Sequence, residues 1–311
     1  MLAIFESMVI ILSSFILDMS KPSWGFREVS RNVHIFDINL KSIGDEQWFL
    51  LQSDVHWDNP KCDRKKLKRH LEEAVKRNAP ILDFGDFFCA MQGKYDRRSS
   101  KKDIRPEHQN NHYLDSLVNT ATGYLDPYKH LITVRGVGNH ESAIHKNHET
   151  DLTERLAERI RANGGIARRG GYSGYIRFNI TCNNRGNGSL LLWYFHGAGG
   201  GGPVTRGVIQ SNRQAVYVSD ADIVATGHVH ESWQVAVERI RLNNVDKVVL
   251  QRQSHVKIPG YKEEYCDGYG GWHIETGKPP KPTGGWWLRI WQPSKQNQKY
   301  VPVEYDLYEA K

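Results

Sequence analysis

Residues 32–40 (NVHIFDINL) alternate apolar and polar positions as a half-buried strand does, and a short apolar run at 47–53 (QWFLLQS) ends at Asp54. From 63 to 77 the period changes. Leu67, Leu71, Ala74 and Val75 fall on one face, with Asp63 at the start and Pro80 shortly after the end, which predicts an amphipathic helix. The apolar run 80–84 stops at Gly85-Asp86, and a helical stretch near 107–129 leads into LITVRGV and then Gly138-Asn139-His140-Glu141.

A further helix is expected at 151–163, strands at 174–181 and 189–195 around the turn-rich NNRGNG, a helix at about 204–216, and a strand at 222–226 before Gly227. Beyond 232 the chain is strand-like again (WQVAVERIRL, DKVVLQR, WWLRIW, KYVPVEYDL), broken by GYGGWHIETGKPPKPTGG. Strands alternating with helices indicate an α/β protein. Each buried strand ends at a polar motif, and loops after parallel strand ends gather at one edge of a sheet.

The chain has 311 residues, of which 39% are hydrophobic and 25% charged, the balance of a globular protein able to bury a sizeable core. The simplest organisation is an N-terminal extension over residues 1–30 and one large domain over 31–311. The net charge of +7 favours polyanionic partners such as nucleic acid and says nothing about chemistry. Four widely spaced cysteines form no CxxC pair and suit a reducing, cytoplasmic setting.

The apolar run from Met8 to Leu17 is too short to span a bilayer comfortably, so no stable membrane insertion is expected. It is preceded by Glu6 and no Lys or Arg, and no small-residue cleavage site follows, which argues against a signal peptide. Two readings stand: Met19 is the native start, or residues 1–18 touch a membrane surface or pack on the body.

The polar residues at strand ends form a series: Asp54-Val-His56, Gly85-Asp86, Gly138-Asn139-His140-Glu141, His196, and Gly227-His228-Val229-His230. Carboxylate oxygens and neutral imidazoles are suitable ligands for Mn2+, Fe2+, Zn2+ or Ni2+. The series resembles the calcineurin-like metallophosphoesterase signature DxH, GD, GNH[ED], H and GHxH, in family order and over more than half the chain.

The resemblance implies a four-layer αββα sandwich of two mixed sheets flanked by helices. It implies that Asp54, His56 and His230 hold one divalent ion and Asn139, His196 and His228 a second, with Asp86 bridging. The implied activity is hydrolysis of a phosphomonoester or phosphodiester by a metal-activated hydroxide. His140 matches the catalytic histidine that protonates or stabilises the leaving alkoxide. The implied alternatives are a DNA or RNA nuclease of the same superfamily and a non-catalytic scaffold.

One departure stands out. Phosphoprotein phosphatases carry GDxxDRG where this chain reads Gly85-Asp86-Phe87-Phe88-Cys89-Ala90-Met91, so the aspartate partner of the histidine is missing. Cys89 does not replace a carboxylate, and orientation of His140 falls to Asp54 or a backbone carbonyl.

Other features have plainer readings. The pairs His108/His112 and His145/His148 read as surface residues, and the basic stretches at 61–77 and 97–105 as solvated faces. The tryptophans at 286, 287 and 291 read as sheet packing. The loop Gly197–Pro203, with Arg206 and Arg213 beyond it, suits either a phosphate or a plain tight turn.

Overall fold

The computed structural model describes residues 23–42, 44–93, 95, 99–202, 204–266, 268, 270–293 and 303–311, except the side chains of Arg185, Asn187 and Trp272. The expectations for Met8–Leu17 and Met19 lie outside the described residues.

Thirteen strands are described: β1 (Trp24–Ser30), β2 (Val33–Leu40), β3 (Glu46–Gln52), β4 (Ile81–Asp83), β5 (Ile132–Arg135), β6 (Arg168–Arg169), β7 (Ser173–Cys182), β8 (Arg185–Phe195), β9 (Ile223–Thr226), β10 (Trp233–Leu242), β11 (Val248–Lys257), β12 (Gly285–Trp291) and β13 (Glu304–Ala310). They form two mixed sheets, one ordered β1-β2-β7-β8-β9-β11-β10 and the other β13-β12-β3-β4-β5-β6. The sheets meet face to face through alternate inward residues. Phe49 of one lies 5.1 Å from Phe36 and 4.8 Å from Phe178 of the other. Buried aromatics of this kind each contribute about 1.5–3 kcal/mol by leaving water.

Six helices are described: α1 (Arg64–Lys76), α2 (Tyr113–Leu125), α3 (Asn139–His148), α4 (Leu152–Ala162), α5 (Val208–Tyr217) and the single turn α6 (Trp272–Glu275). The Asp63 side chain caps α1 by accepting from Lys66 N at 2.9 Å, and Leu67, Leu71 and Ala74 are its buried face. Val75, expected on that face, is exposed. An Asp63→Ala change would remove the cap, at about 1 kcal/mol. On the outer side of the seven-stranded sheet, Trp193 packs against Tyr217 at the end of α5.

Three differences from the sequence reading have physical reasons. β1 pairs antiparallel with β2, so residues 24–30, placed above in the extension, are part of the sheet; of them only Trp24 is buried, which left little apolar pattern. The C-terminal strands, all expected from their pattern and the resemblance to complete the second sheet, divide between the two: β10 and β11 join the first, while β12 is apolar on both faces and pairs with β3 in the second. His108 is buried, bonded to Thr120 Oγ1 at 2.9 Å and packed on Trp57.

What positions the site is strand direction. β3, β4 and β5 run parallel, as do β8, β9 and β11, so the loops after them leave the sheets on common edges. Those loops are stitched together by backbone bonds: Asp54 N donates to Gly85 O at 2.9 Å, His56 N to Asp86 O at 3.0 Å, and Gly227 N to His196 O at 2.9 Å.

Candidate metal centre

The five motifs reach one place because each strand ends where its motif begins. β3 delivers Asp54 and His56, β4 Asp86, β5 Asn139 and His140 at the start of α3, β8 His196, and β9 His228 and His230. Asp54, His56, Asp86, His228 and His230 all have backbone φ between 48° and 73°, a left-handed conformation that costs a non-glycine residue about 1–3 kcal/mol. The surrounding loops over-determine these turns.

The two aspartates are used alike. Asp54 Oδ2 accepts from Ser53 Oγ and from His228 N, both at 2.7 Å, which ties the first motif to the last. Asp86 Oδ1 accepts from His140 N at 2.9 Å, tying the second motif to the third. In each case the remaining oxygen faces imidazoles. Asp54 Oδ1 lies 3.4 Å from His230 Nε2 and 4.0 Å from His56 Nε2, and the two ring nitrogens are 3.4 Å apart. Asp86 Oδ2 lies 3.2 Å from His196 Nε2, which in turn is 3.2 Å from Asn139 Oδ1. His228 completes the second group, its ring 5.3 Å from that of His196.

With two facing mixed sheets, flanking helices and all five motifs at the strand ends, the architecture is decided. These are the two facing mixed sheets, flanked by helices, that the motif resemblance implied. Among solved structures the chain is similar to Vacuolar Protein Sorting 29 from Cryptosporidium parvum, with a TM-score of 0.35, 12% identity, and coverage of 85% of this chain and 98% of that one. It is also similar to a conserved uncharacterized protein, a predicted phosphoesterase, from Streptococcus pneumoniae TIGR4, with a TM-score of 0.29, 10% identity, and the same two coverages. No family model and no curated protein sequence matches the chain. Likenesses this slight add nothing to what the sheets and motifs themselves show.

The residues fit a cation. Asp54 Oδ1, His56 Nδ1 and His230 Nδ1 are buried with no hydrogen-bond partner, and a bare carboxylate oxygen in that position is costly unless positive charge faces it. His196 Nδ1 bonds to Phe84 O at 3.0 Å, which makes it the donor and turns the Nε2 lone pair towards Asp86 and Asn139. Burial opposes a charge on His196, yet Asp86 and Asp54 raise its pKa to about 10: in the chain by itself a proton is drawn in where a metal ion would otherwise balance the carboxylates. Burial together with His140 and His230 keeps His56 neutral, its pKa well below the ordinary value.

His140 is oriented by a backbone group. Its Nδ1 bonds to Cys89 O at 2.5 Å, and its Nε2 points inward, 3.8 Å from Asp86 Oδ2. Of the two alternatives left by the sequence, the carbonyl is the one used. The loop presenting it is held by Asp58, whose carboxylate accepts from Cys89 N at 2.5 Å and Ala90 N at 2.9 Å.

Several residues support the site in roles that the sequence reading did not assign. Glu141 accepts from Asp86 N at 3.0 Å, Phe88 N at 2.9 Å and Gly138 N at 2.9 Å, locking the second motif to the third; burial and the neighbouring Asp86 push its pKa up to about 8. Gly138 carries no side chain because a Cβ there would overlap Asp86 Oδ1 and N. His273, from α6, packs 5.7 Å from His230 and receives Glu264 on its Nδ1 at 3.3 Å. Lys257 lies buried beneath Gly227, its Nζ 3.4 Å from Gly227 O. Glu141 and Asp58 had a signal, Glu141 as the last residue of its motif and Asp58 as a neighbour of one; His273 and Lys257 had none.

Among the described residues no helix is long and apolar enough to cross a membrane. Among the described residues no disulfide joins the cysteines. Arg64 and Arg105, from the basic stretches, are partly buried braces: Arg64 lies over the Trp57 ring at 3.8 Å and donates to Trp57 O, and Arg105 donates to Asn59 O at 3.2 Å.

Proposed function

We propose that the chain is a metal-dependent phosphoesterase whose site takes two divalent ions, one held by Asp54, His56 and His230 and the other by Asn139, His196 and His228, with Asp86 between them. The observation that carries this reading is the convergence of two acid–imidazole groups from four strand-end loops, one of them around Asp54 Oδ1, a carboxylate oxygen that has no donor of its own. When bound, such ions polarise phosphoryl oxygens and lower the pKa of water at neutral pH.

The protein's own part is to orient and to move a proton. Asp54 and Asp86 each spend one oxygen on a backbone N–H and keep the other pointed inward, which fixes where positive charge, and with it the substrate phosphate, can sit. His140, held through Nδ1 by Cys89 O, offers Nε2 to the leaving oxygen and gives it a proton as the ester bond breaks. No covalent bond to the protein is required.

Purified protein with Mn2+ should hydrolyse bis(4-nitrophenyl) phosphate or 4-nitrophenyl phosphate, and His228→Ala should not. Labelled single- and double-stranded oligonucleotides in the same panel separate the nuclease alternative, for which the braced Arg64 and Arg105 offer little support. Metal uptake with no hydrolysis of any ester would overturn the enzyme reading in favour of a scaffold.

A further inference from the structure

Cys89, which the proposed hydrolytic site does not use, belongs to a third group of donors together with His56 and His140, which it does. One ligand atom from each of His56, Cys89 and His140 lies within 4.8 Å of the other two, and Cys89 is buried. The rings of His56 and His140 meet edge to face at 4.9 Å. His140 Nδ1 is committed to Cys89 O, so the ligand nitrogen it can offer is Nε2. His56 is nine-tenths buried, and its Nδ1 has no hydrogen-bond partner.

The sulfur is held in place by a donor: Asn59 Nδ2 donates to Cys89 Sγ at 3.3 Å. Ala90, the next residue, is in a left-handed turn with φ 47°, and Asp58 grips both backbone N–H groups of the pair, so the sulfur is carried on a fixed loop. Two imidazoles and one thiolate leave a fourth position open, a donor set that favours thiophilic ions over Mn2+ or Mg2+.

We propose that His56, Cys89 and His140 form a third metal position, selective for thiophilic ions such as Zn2+ and Cd2+, and that filling it switches the hydrolase off. On binding, the S–H bond breaks, its proton leaves to water and sulfur donates an electron pair to the ion, with no change of oxidation state. The ion then draws on His56, which the Asp54 group shares, and on His140, the proton donor. The switching part rests on the proposed hydrolytic role of those two histidines; the binding part does not.

The experiment is a Cd2+ titration of chelator-treated full-length protein, following the thiolate-to-metal charge-transfer absorption in the ultraviolet, with Mn2+ uptake and Mn2+-supported hydrolysis measured in parallel. The wild type should give the absorption and Cys89→Ser should lose it, while Cys266→Ser, changing the exposed thiol, should keep it. His140→Ala leaves the sulfur in place and should weaken Cd2+ binding by at least about tenfold. Zn2+ should inhibit the Mn2+-loaded wild type at lower concentration than it inhibits Cys89→Ser, each referred to its own activity without Zn2+. An absorption that survives in Cys89→Ser, or none in the wild type, overturns the proposal. Mn2+ uptake without the thiolate band leaves the two-ion reading standing and this one fallen, and the reverse pattern does the opposite.

Discussion

Two regions of this molecule reverse the rule that apolar groups go inside and polar ones stay out. At the strand ends, two aspartates and four histidines are buried or nearly so. At the far end of β10 and β11, Ile240, Leu242, Val248 and Leu250 stand 64–78% exposed, and the pairs Ile240–Leu250 and Leu242–Val248 share one face of a ribbon extending past the last residue paired with β9. The first reversal is organised: every buried polar motif is bonded to another motif, five of its residues hold strained turns, and the Nε2 atoms of His56 and His230 meet at Asp54 Oδ1. The second has neither converging groups nor strain along the strands. Buried polarity that converges marks a place built for charge, whereas exposed apolar surface marks only a place the rest of this chain does not cover.

The sharpest break of this contrast comes from Asp86→Ala. Removing the carboxylate between the two donor groups should lower phosphoesterase activity by more than the roughly 10–100-fold typical of an outer partner, measured as kcat/KM with Mn2+. A loss of only a few-fold would mean that convergence there is structural. Gly138→Ala probes the same point through space alone. The added methyl overlaps Asp86, so the unfolding free energy should fall by about 1–3 kcal/mol in urea titration, together with weaker Mn2+ binding.

Lys257 tests the cost of burying charge under the cleft. Burial pushes its pKa from 10.5 down to about 8, so between those values the unfolded chain holds more protons than the folded one and stability rises with pH. Lys257→Met should therefore stabilise the protein at pH 7 by up to about 3 kcal/mol, the free-energy equivalent of that shift, and the gain should vanish above about pH 10.5. A gain that does not depend on pH would show the charge to be immaterial. At the other end, Ile240→Ser with Leu250→Ser should change stability by no more than about 0.5 kcal/mol per site. A loss of several kcal/mol in thermal unfolding would show that the ribbon is covered after all.

How far the sequence disclosed this picture follows from what each feature is made of. The strand ends were legible because apolar runs stop abruptly at Asp54, Asp86, Asn139, His196 and His228, and the same abruptness indicates parallel strands with a shared edge. α3 was not anticipated: it starts at Asn139 with no side-chain cap, and its first turn carries the motif residues themselves. The left-handed turns were not read from the sequence, since Asp and His adopt positive φ more often than most residues but far less regularly than glycine. The partner of His140 could be narrowed to a few groups but not chosen, because a backbone carbonyl leaves no trace in the residue pattern. β1 was lost for the opposite reason to β3, having one buried residue against five.

The central claim is that the buried aspartates and histidines gathered by the strand-end loops are there to hold two ions. Metal content settles it most directly: full-length protein stripped with chelator, loaded with Mn2+, freed of excess by gel filtration and analysed for manganese per chain. Two ions in the wild type, falling in Asp86→Ala and in His230→Ala, is the predicted result. Wild-type protein that is folded, yet retains no manganese and gains no thermal stability from adding it, would contradict the account.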